Sequence, residues 1–423
     1  MVQETLHVIQ KRWPKVAKRL ENEKPTRDVH LVQVGDELSL RVNGLLIGSA
    51  YNRVHEARLQ ASLVPALAEE ATVYGIGLGD LPRALLERPC IRKLQVVCLS
   101  LALLRTVFEH FDQSDWLKDP RVELLLPDMS TISFPMAAVP SELSMVSSEA
   151  EALKDRVLLE LDTPYIRERH FDQSGEIAQR IQSNAGRVAR DGDAASFFGR
   201  WKGQRVFVAA AGPTLEQTSQ MLAVHHRGEP VVVVDAGLKP LLAAGVTPNL
   251  VISIDDKREG VLSFFLGVDL EALRAVPLVY FPRLHPDVID LWEGPKLVAY
   301  AEHSHYQEIE ARYPRARLFS SGSVIHPAVD LAVKAGAAEI VLMGTDFSFP
   351  GNRFRAGAHL LQEERVRHFV SNGYGQAVGT MPNFRGYLRD LETYISCHPE
   401  VRFYNSSRDG AAIAGTEFWE FAR

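Results

Sequence analysis

GQRVFVAAAGPTLEQTSQMLAVHHRGEPVVVVDAG, residues 203–237, decides the fold. Val206–Ala211 is an apolar run of strand length. Gly212-Pro213-Thr214 turns the chain, Leu215–His225 has helical spacing, and Val231–Asp235 is a second strand. Strand, helix and strand in this order are the unit of a parallel sheet.

The pattern continues to the C-terminus. Lys239–Ala244 reads as a helix, and Leu250–Ile254 as a strand that ends in Asp255-Asp256. Strands are expected at Leu278–Phe281, Leu297–Ala299, Leu318–Phe319 and Glu339–Met343, the last running into Gly344-Thr345-Asp346. Helices at Ile325–Ala335 and Phe384–Ser396 and a strand at Val401–Tyr404 complete it. Residues 201–423 are therefore expected to form a doubly wound α/β domain.

Working toward the N-terminus, residues 146–200 are charged and helical in period, without strand signal, and read as a connector. Residues 1–145 form a further domain. Its His30–Ser49 segment alternates around Asn43-Gly44, a hairpin turn pair. ATVYGIGLGDLPRALLERP, residues 71–89, carries a strand into Gly75, Gly77 and Gly79 and then into a helix. Strands at Leu94–Cys98 and Arg121–Leu126 and a helix at Leu101–Phe111 extend this to βαβαβ. A GxGxG turn alone is weak evidence for a dinucleotide, and the next strand, Val96-Val97-Cys98, ends without the acid that would bind ribose hydroxyls. This first domain is expected to be a platform whose cofactor site is lost.

Composition narrows the function. A net charge of −6 with no polybasic run argues against nucleic acid or an anionic membrane as partner. No apolar run has membrane-spanning length. Cys90, Cys98 and Cys397 include no CxxC, which argues against a disulfide framework or zinc and points to a reducing cytosol. The first twenty residues read as an amphipathic helix interrupted by Pro14, without the core of a signal peptide.

Candidate site residues gather where an open parallel sheet binds its ligands, beyond the carboxyl ends of its strands. Gly212 permits close backbone approach, Pro213 suits a first helical turn, and Thr214 offers a hydroxyl beside free N–H groups. Ser321-Gly322-Ser323 before Ile325–Ala335 has the same construction. Asp235, followed by Ala236, and Asp255 and Asp346 end strands, where a carboxylate can hold ribose, bind Mg²⁺ or act as a base. Arg353, Arg355 and His359 lie on an Arg- and Gly-rich segment that reads as a lid. His303 and His305 are HxH spaced, but no third metal ligand is evident.

These residues carry a resemblance. The GPTL of 212–215 resembles the GPSL element of bacterial motility-associated factors, the flagellin glycosyltransferases. LLAAGVTPNLVISIDD, GSVIHPAVDLAVKAGAAEIVLMGTDFSF, VGTMPNFRGYLRDLE and YNSSRDGAAIAGT resemble four further family elements in the same order, over roughly 200–423. NGLLIGSAYNRVHEA and YGIGLGDLPRALLE resemble the family's Rossmann-like leader. The same core is shared with archaeal 6-hydroxymethylpterin diphosphokinase and is similar to bacterial sialyltransferases that use CMP-activated sugars. Thr214 stands for the usual Ser and Thr345 for the usual Gln. Arg355-Ala356 stands where a His-Ala pair is common, with His359 four residues later. The chain ends soon after Gly415, where many members carry a further helical region.

The resemblance implies a cytoplasmic enzyme that moves a nonulosonic acid, of the pseudaminic or legionaminic type, from a CMP donor to Ser or Thr of flagellin. No metal cofactor is implied. His359 is the first candidate for the base, followed by Asp346 and Asp255. Gly212, Pro213, Thr214, Asp235, Ala236, Ser321, Gly322, Ser323 and Arg355 are expected around the donor. Two rivals remain at this point. One is transfer of pyrophosphate from ATP to a pterin, with Mg²⁺ held by Asp255 and Asp346. The other is a non-catalytic protein that binds flagellin or a sugar-pathway enzyme.

Overall fold

A computed structural model describes residues 2–421 except 27, 128–131 and 358–367. The chain forms two compact units, Met1–Leu161 and Asp162–Arg423. The helix Glu151–Ser183 contributes residues to both.

In the first unit, helices Val2–Arg12 and Pro14–Asn22 flank Trp13, with Pro14 at the first turn of the second helix, where its missing N–H costs nothing. An antiparallel sheet follows, of β1 (Val29–Val34), β2 (Glu37–Val42) and β3 (Leu45–Leu46). Asn43-Gly44 turns β2 into β3, with φ of 49° and 79°. The longer hairpin, β1–β2, turns at Gly35-Asp36, which the alternation had not marked.

The parallel sheet of this unit contains β4 (Glu70–Tyr74), β5 (Lys93–Val97), β6 (Val122–Leu125) and β7 (Met136–Ala138) in the order β6-β5-β4-β7. Expected strands 4, 5 and 6 are present; β7 was not expected. Its three residues lie between Pro135 and Pro140, too short a run to show periodicity. Because β5 and β7 flank β4, the chain reverses its winding between β4 and β7, the position where such sheets bind ligands at their carboxyl ends.

The second unit repeats this logic on a larger scale. Its ten-stranded sheet runs β14-β13-β12-β11-β10-β9-β15-β18-β19, with β8 paired to β13. The strands are β8 (Gly192–Asp193), β9 (Arg205–Ala209), β10 (Val231–Val234), β11 (Leu250–Ser253), β12 (Leu278–Tyr280), β13 (Lys296–Tyr300), β14 (Ala316–Arg317), β15 (Glu339–Met343), β18 (Arg402–Asn405) and β19 (Thr416–Phe418). Every pairing in it is parallel. A separate hairpin joins β16 (His368–Ser371) to β17 (Ala377–Thr380).

Helices on both faces explain why the central strands read as unbroken apolar runs. Each residue of β10 and of β11 is buried. Each fully buried Val of this kind contributes about 1.5–3 kcal/mol. Two expectations need correction. Residues 146–200 are not free of strand, since Gly192–Asp193 pairs with Leu297–Val298. The edge strand expected at Leu318–Phe319 lies two residues earlier, at Ala316–Arg317. The Leu318 N–H still bonds to the Tyr300 carbonyl, so the ladder continues past the strand itself.

Candidate functional site

In the second unit, after the short β8, the main winding starts at β9; β10 to β14 add on one side and β15, β18 and β19 on the other, so the winding reverses between β9 and β15. A cleft of about 1290 Å³ lies beyond the strand ends there and extends past β10, β11, β12 and β13. Its lining brings together Gly212, Asp235, Ala236, Asp255, Gly322, Ser323, Asp346 and Arg355. Pro213, Thr214 and Ser321 are adjacent in sequence but are not among the lining residues. His359 falls outside the described residues.

Asp346 closes the reversal point. The Thr214 N–H donates to its Oδ2 at 2.9 Å and the Thr214 hydroxyl to its Oδ1 at 2.6 Å. Expected to face an anionic ligand, Thr214 thus has an internal carboxylate at the N-terminus of the helix Leu215–His225. Gly212 is required by this arrangement, because a Cβ there would come within 2.3 Å of the Asp346 carboxylate. Burial raises the Asp346 pKa to about 6, against the pull of the Thr214 donors. The residue after it, Phe347, is a left-handed non-glycine at φ 44°. Such a conformation costs about 1–2 kcal/mol. It is held by the Thr380 hydroxyl, which donates to the Phe347 carbonyl at 2.6 Å, and by the Phe349 N–H on the Gly379 carbonyl.

Asp235 directly follows β10 and is also buried. It accepts from the Ser253 hydroxyl at 2.5 Å and from the Ala236 N–H at 2.7 Å. Burial raises its pKa to about 6 as well. Both carboxylates therefore shape the floor of the cleft through their partners.

Asp255 differs, since it is exposed on the cleft wall. Its pKa is raised by desolvation in the cleft and by neighbouring Asp256. Burial acts on Asp256 too, but the Arg283 guanidinium, 3.2 Å away, outweighs it and keeps that carboxyl ionised. The two neighbouring carboxyls are thus pushed apart in pKa, Asp255 upward and Asp256 downward, and a carboxylate with a raised pKa is the better proton acceptor of the two.

The Ser321–Ser323 turn is positioned by its surroundings. The Ser321 hydroxyl donates to Asp390 at 2.5 Å, and its N–H donates to His326 Nδ1 at 3.2 Å. On the other side of that ring, Nε2–H donates to the Tyr387 carbonyl at 3.0 Å. These contacts require a neutral His326, and burial lowers its pKa accordingly. Gly322 has φ +81°, and a Cβ on it would meet the Tyr387 ring at 2.6 Å. Ser321 therefore supports the turn, while Gly322 and Ser323 face the cleft.

The segment with the arginines is pinned to the β9 turn. Arg353 pairs with Glu216 at 2.7 Å, the Gly357 N–H donates to the same carboxylate, and the Ala356 N–H bonds to the Ala211 carbonyl. Arg353 is thereby occupied, whereas the Arg355 guanidinium stands over the Phe264 ring at 5.0 Å, in the cleft. His303 and His305 line the far end of the cleft, their rings 4.2 Å apart. Sequence reasoning placed Asp256 at a strand end without giving it a role and missed Arg283, Phe354, Asn383, Phe384 and Tyr387, all of which also line the cleft. For Asp256 the signal was present beside Asp255; the others meet the site only through tertiary folding.

In the first unit, Gly75 and Gly77 lie at the reversal point between β4 and β7, each with positive φ. Glu142 follows β7 in the short helix Pro140–Leu143, and its Oε2 accepts the Ile76 N–H at 2.7 Å and the Gly77 N–H at 2.9 Å. A side-chain carboxylate thus stands where this loop would hold a phosphate.

Fold and cleft together define an α/β protein with a large cleft at the carboxyl ends of a parallel sheet. Residues 179–352, within the second unit, match the family model described as 6-hydroxymethylpterin diphosphokinase MptE-like. The chain is also similar to the solved structure of a MAf glycosyltransferase from Magnetospirillum magneticum AMB-1, at 15% identity and a TM-score of 0.46, over 99% of this chain and 74% of that one. No curated protein matches the chain.

Proposed function

We propose that this protein is a glycosyltransferase that moves a nonulosonic acid from a CMP donor to a Ser or Thr hydroxyl of flagellin. The observation that carries the reading is the convergence of four of the five family-like elements, through Gly212, Asp255, Gly322 with Asp346, and Asn383, on one cleft of about 1290 Å³. Pockets that bind drug-sized ligands measure about 300–1,000 Å³. The remainder leaves room for an acceptor side chain beside the donor.

The reaction is a direct displacement. A base takes the acceptor hydroxyl proton, the oxygen forms the new bond to the anomeric carbon, and the bond from that carbon to the CMP phosphate breaks. Arg355 and the backbone around Gly322-Ser323 receive the charge that develops on the departing phosphate. Of the two described carboxylates, Asp255 is the one open to the cleft, while both Asp346 oxygens are taken by Thr214. The role of base therefore falls to His359 or Asp255, and Asp346 positions the Gly212 turn.

A Mg²⁺-dependent pyrophosphoryl transfer would use Asp255 and Asp346 together. The engagement of Asp346 with Thr214 fits that role poorly. Calorimetry with CMP, ATP and GTP, with and without Mg²⁺, tests the choice. Metal-independent CMP binding is expected. ATP binding that requires Mg²⁺, without CMP binding, would overturn the transferase reading.

A further inference from the structure

Three aromatic rings line or back one wall of the cleft. Phe349, Phe354 and Phe384 form a triangle, with centroid separations of 5.9 Å for 349–354, 5.8 Å for 349–384 and 5.5 Å for 354–384. Phe349 is buried and anchors the group. Phe354 lies nearly parallel to both neighbours, at 30° and 29°, yet is 40% exposed. A large apolar ring exposed on a concave wall, backed by two rings that hold its plane, has the form of a stacking platform.

Its setting is specific. The backbone contacts that pin residues 353–357 to the β9 turn fix the Phe354 position. The next residue, Arg355, holds its guanidinium over Phe264 in the same cleft. Consecutive residues thus offer a flat apolar face and a cation, the chemistries that match the two ends of a nucleoside monophosphate. Asn383 also lines this cleft, and its amide carries a donor and an acceptor of the kind a base edge requires.

We infer that Phe354, backed by Phe384 and Phe349, binds the base of the nucleotide part of the donor by stacking. The inference rests on the nucleotide-donor reading above and adds a place for the base. A pyranose ring would meet the same wall through its C–H bonds. The planar base is favoured because it extends the existing near-parallel stack with its own π face.

The test uses the full chain and calorimetric titration with CMP and with ribose 5-phosphate, which lacks the base. The wild type should bind CMP about ten-fold more tightly or better, in line with what one stacked base contributes. Phe354→Ala should lower CMP affinity to that of ribose 5-phosphate and leave the latter unchanged. Phe354→Trp should retain CMP binding. Circular dichroism on both variants establishes that they fold, and Phe354 is exposed enough for that to be expected. CMP affinity unchanged in Phe354→Ala would remove the platform while the donor reading stands. A wild type that binds ribose 5-phosphate as well as CMP would do the same. A wild type that binds neither would remove both.

Discussion

Replacing Glu142 with Gln tests whether a buried carboxylate closes the glycine loop of the first unit. Folding changes the Glu142 pKa from 4.5 to about 7 because burial disfavours the charged form more than the Ile76 and Gly77 N–H groups favour it. The folded protein then holds the proton more tightly than the unfolded chain. Stability from this group is present below about pH 4.5 and is lost as pH rises toward 7. At about 1.4 kcal/mol per pKa unit, the ionised group costs roughly 3 kcal/mol above pH 7. Gln keeps the shape and an oxygen for the two N–H groups but cannot ionise.

Urea denaturation of the full chain, followed by tryptophan fluorescence between pH 5 and pH 8, reads this out. Relative to the wild type, Glu142→Gln should gain roughly 2.5 kcal/mol over that interval. Asp235 and Asp346 titrate with the same sign but are present in both proteins, so they cancel in the difference. Hydrogen exchange at β4 assigns the affected transition to the first unit. A difference independent of pH would refute the reasoning. A difference that favours the wild type as pH rises would show that the loop holds an ionised carboxylate more strongly than burial opposes it.

The remaining tests concern the second unit and the ligands. Thr214→Val removes the hydroxyl on Asp346 and should cost about 1–3 kcal/mol in urea denaturation; an unchanged midpoint would mean that the bond is not stabilising. Gly322→Val places a β-branched residue at φ +81° against Tyr387 and should abolish CMP binding with little change in circular dichroism; undiminished affinity would separate this turn from the donor. His359→Ala should lower sugar transfer by about 100-fold or more while CMP affinity holds. Transfer at the normal rate would assign the base to Asp255, to be checked with Asp255→Asn. Neither NAD nor S-adenosylmethionine should bind the first unit tightly, and saturable binding abolished by Gly77→Val would contradict the closed loop.

Much of the fold was legible because parallel strands covered on both faces must be apolar throughout. Val231–Val234 could hardly be anything else. β7 and β8 were not legible, since three and two residues carry no period, and only their neighbours make them strands. The site was legible at the strand ends, where topology places polar groups regardless of side-chain detail. Which groups face the cleft was not. Gly212 and Thr214 give one local signal, but Thr214 turns to Asp346, 132 residues away. Ser321 and Ser323 divide likewise, because Asp390 captures the first. Tyr387 and Phe384 enter from a helix whose sequence reads as ordinary amphipathic periodicity.

The two units resolve their reversal points in the same way. In each, an acid from the segment after the strand across the reversal point accepts N–H groups from the loop after the first strand: Glu142 from Ile76 and Gly77, Asp346 from Thr214. Such loops attract anions because their N–H groups converge near a helix N-terminus. An internal carboxylate satisfies those donors without a ligand, at the expense of a raised pKa. In the first unit this leaves the loop with no free role. In the second, the cleft extends from the closed point along the ends of β10 to β13, and there Asp255, Ser323 and Arg355 still face it. A donor in the second unit is therefore expected to lie beside the Gly212 turn rather than on it. Asp346→Ala would then open a second anion position without supplying the one that the reaction uses. Inorganic phosphate should bind that variant with higher affinity than the wild type, while CMP affinity changes little. If CMP affinity instead falls with phosphate binding unchanged, the carboxylate is part of the donor site and the two reversal points serve different ends.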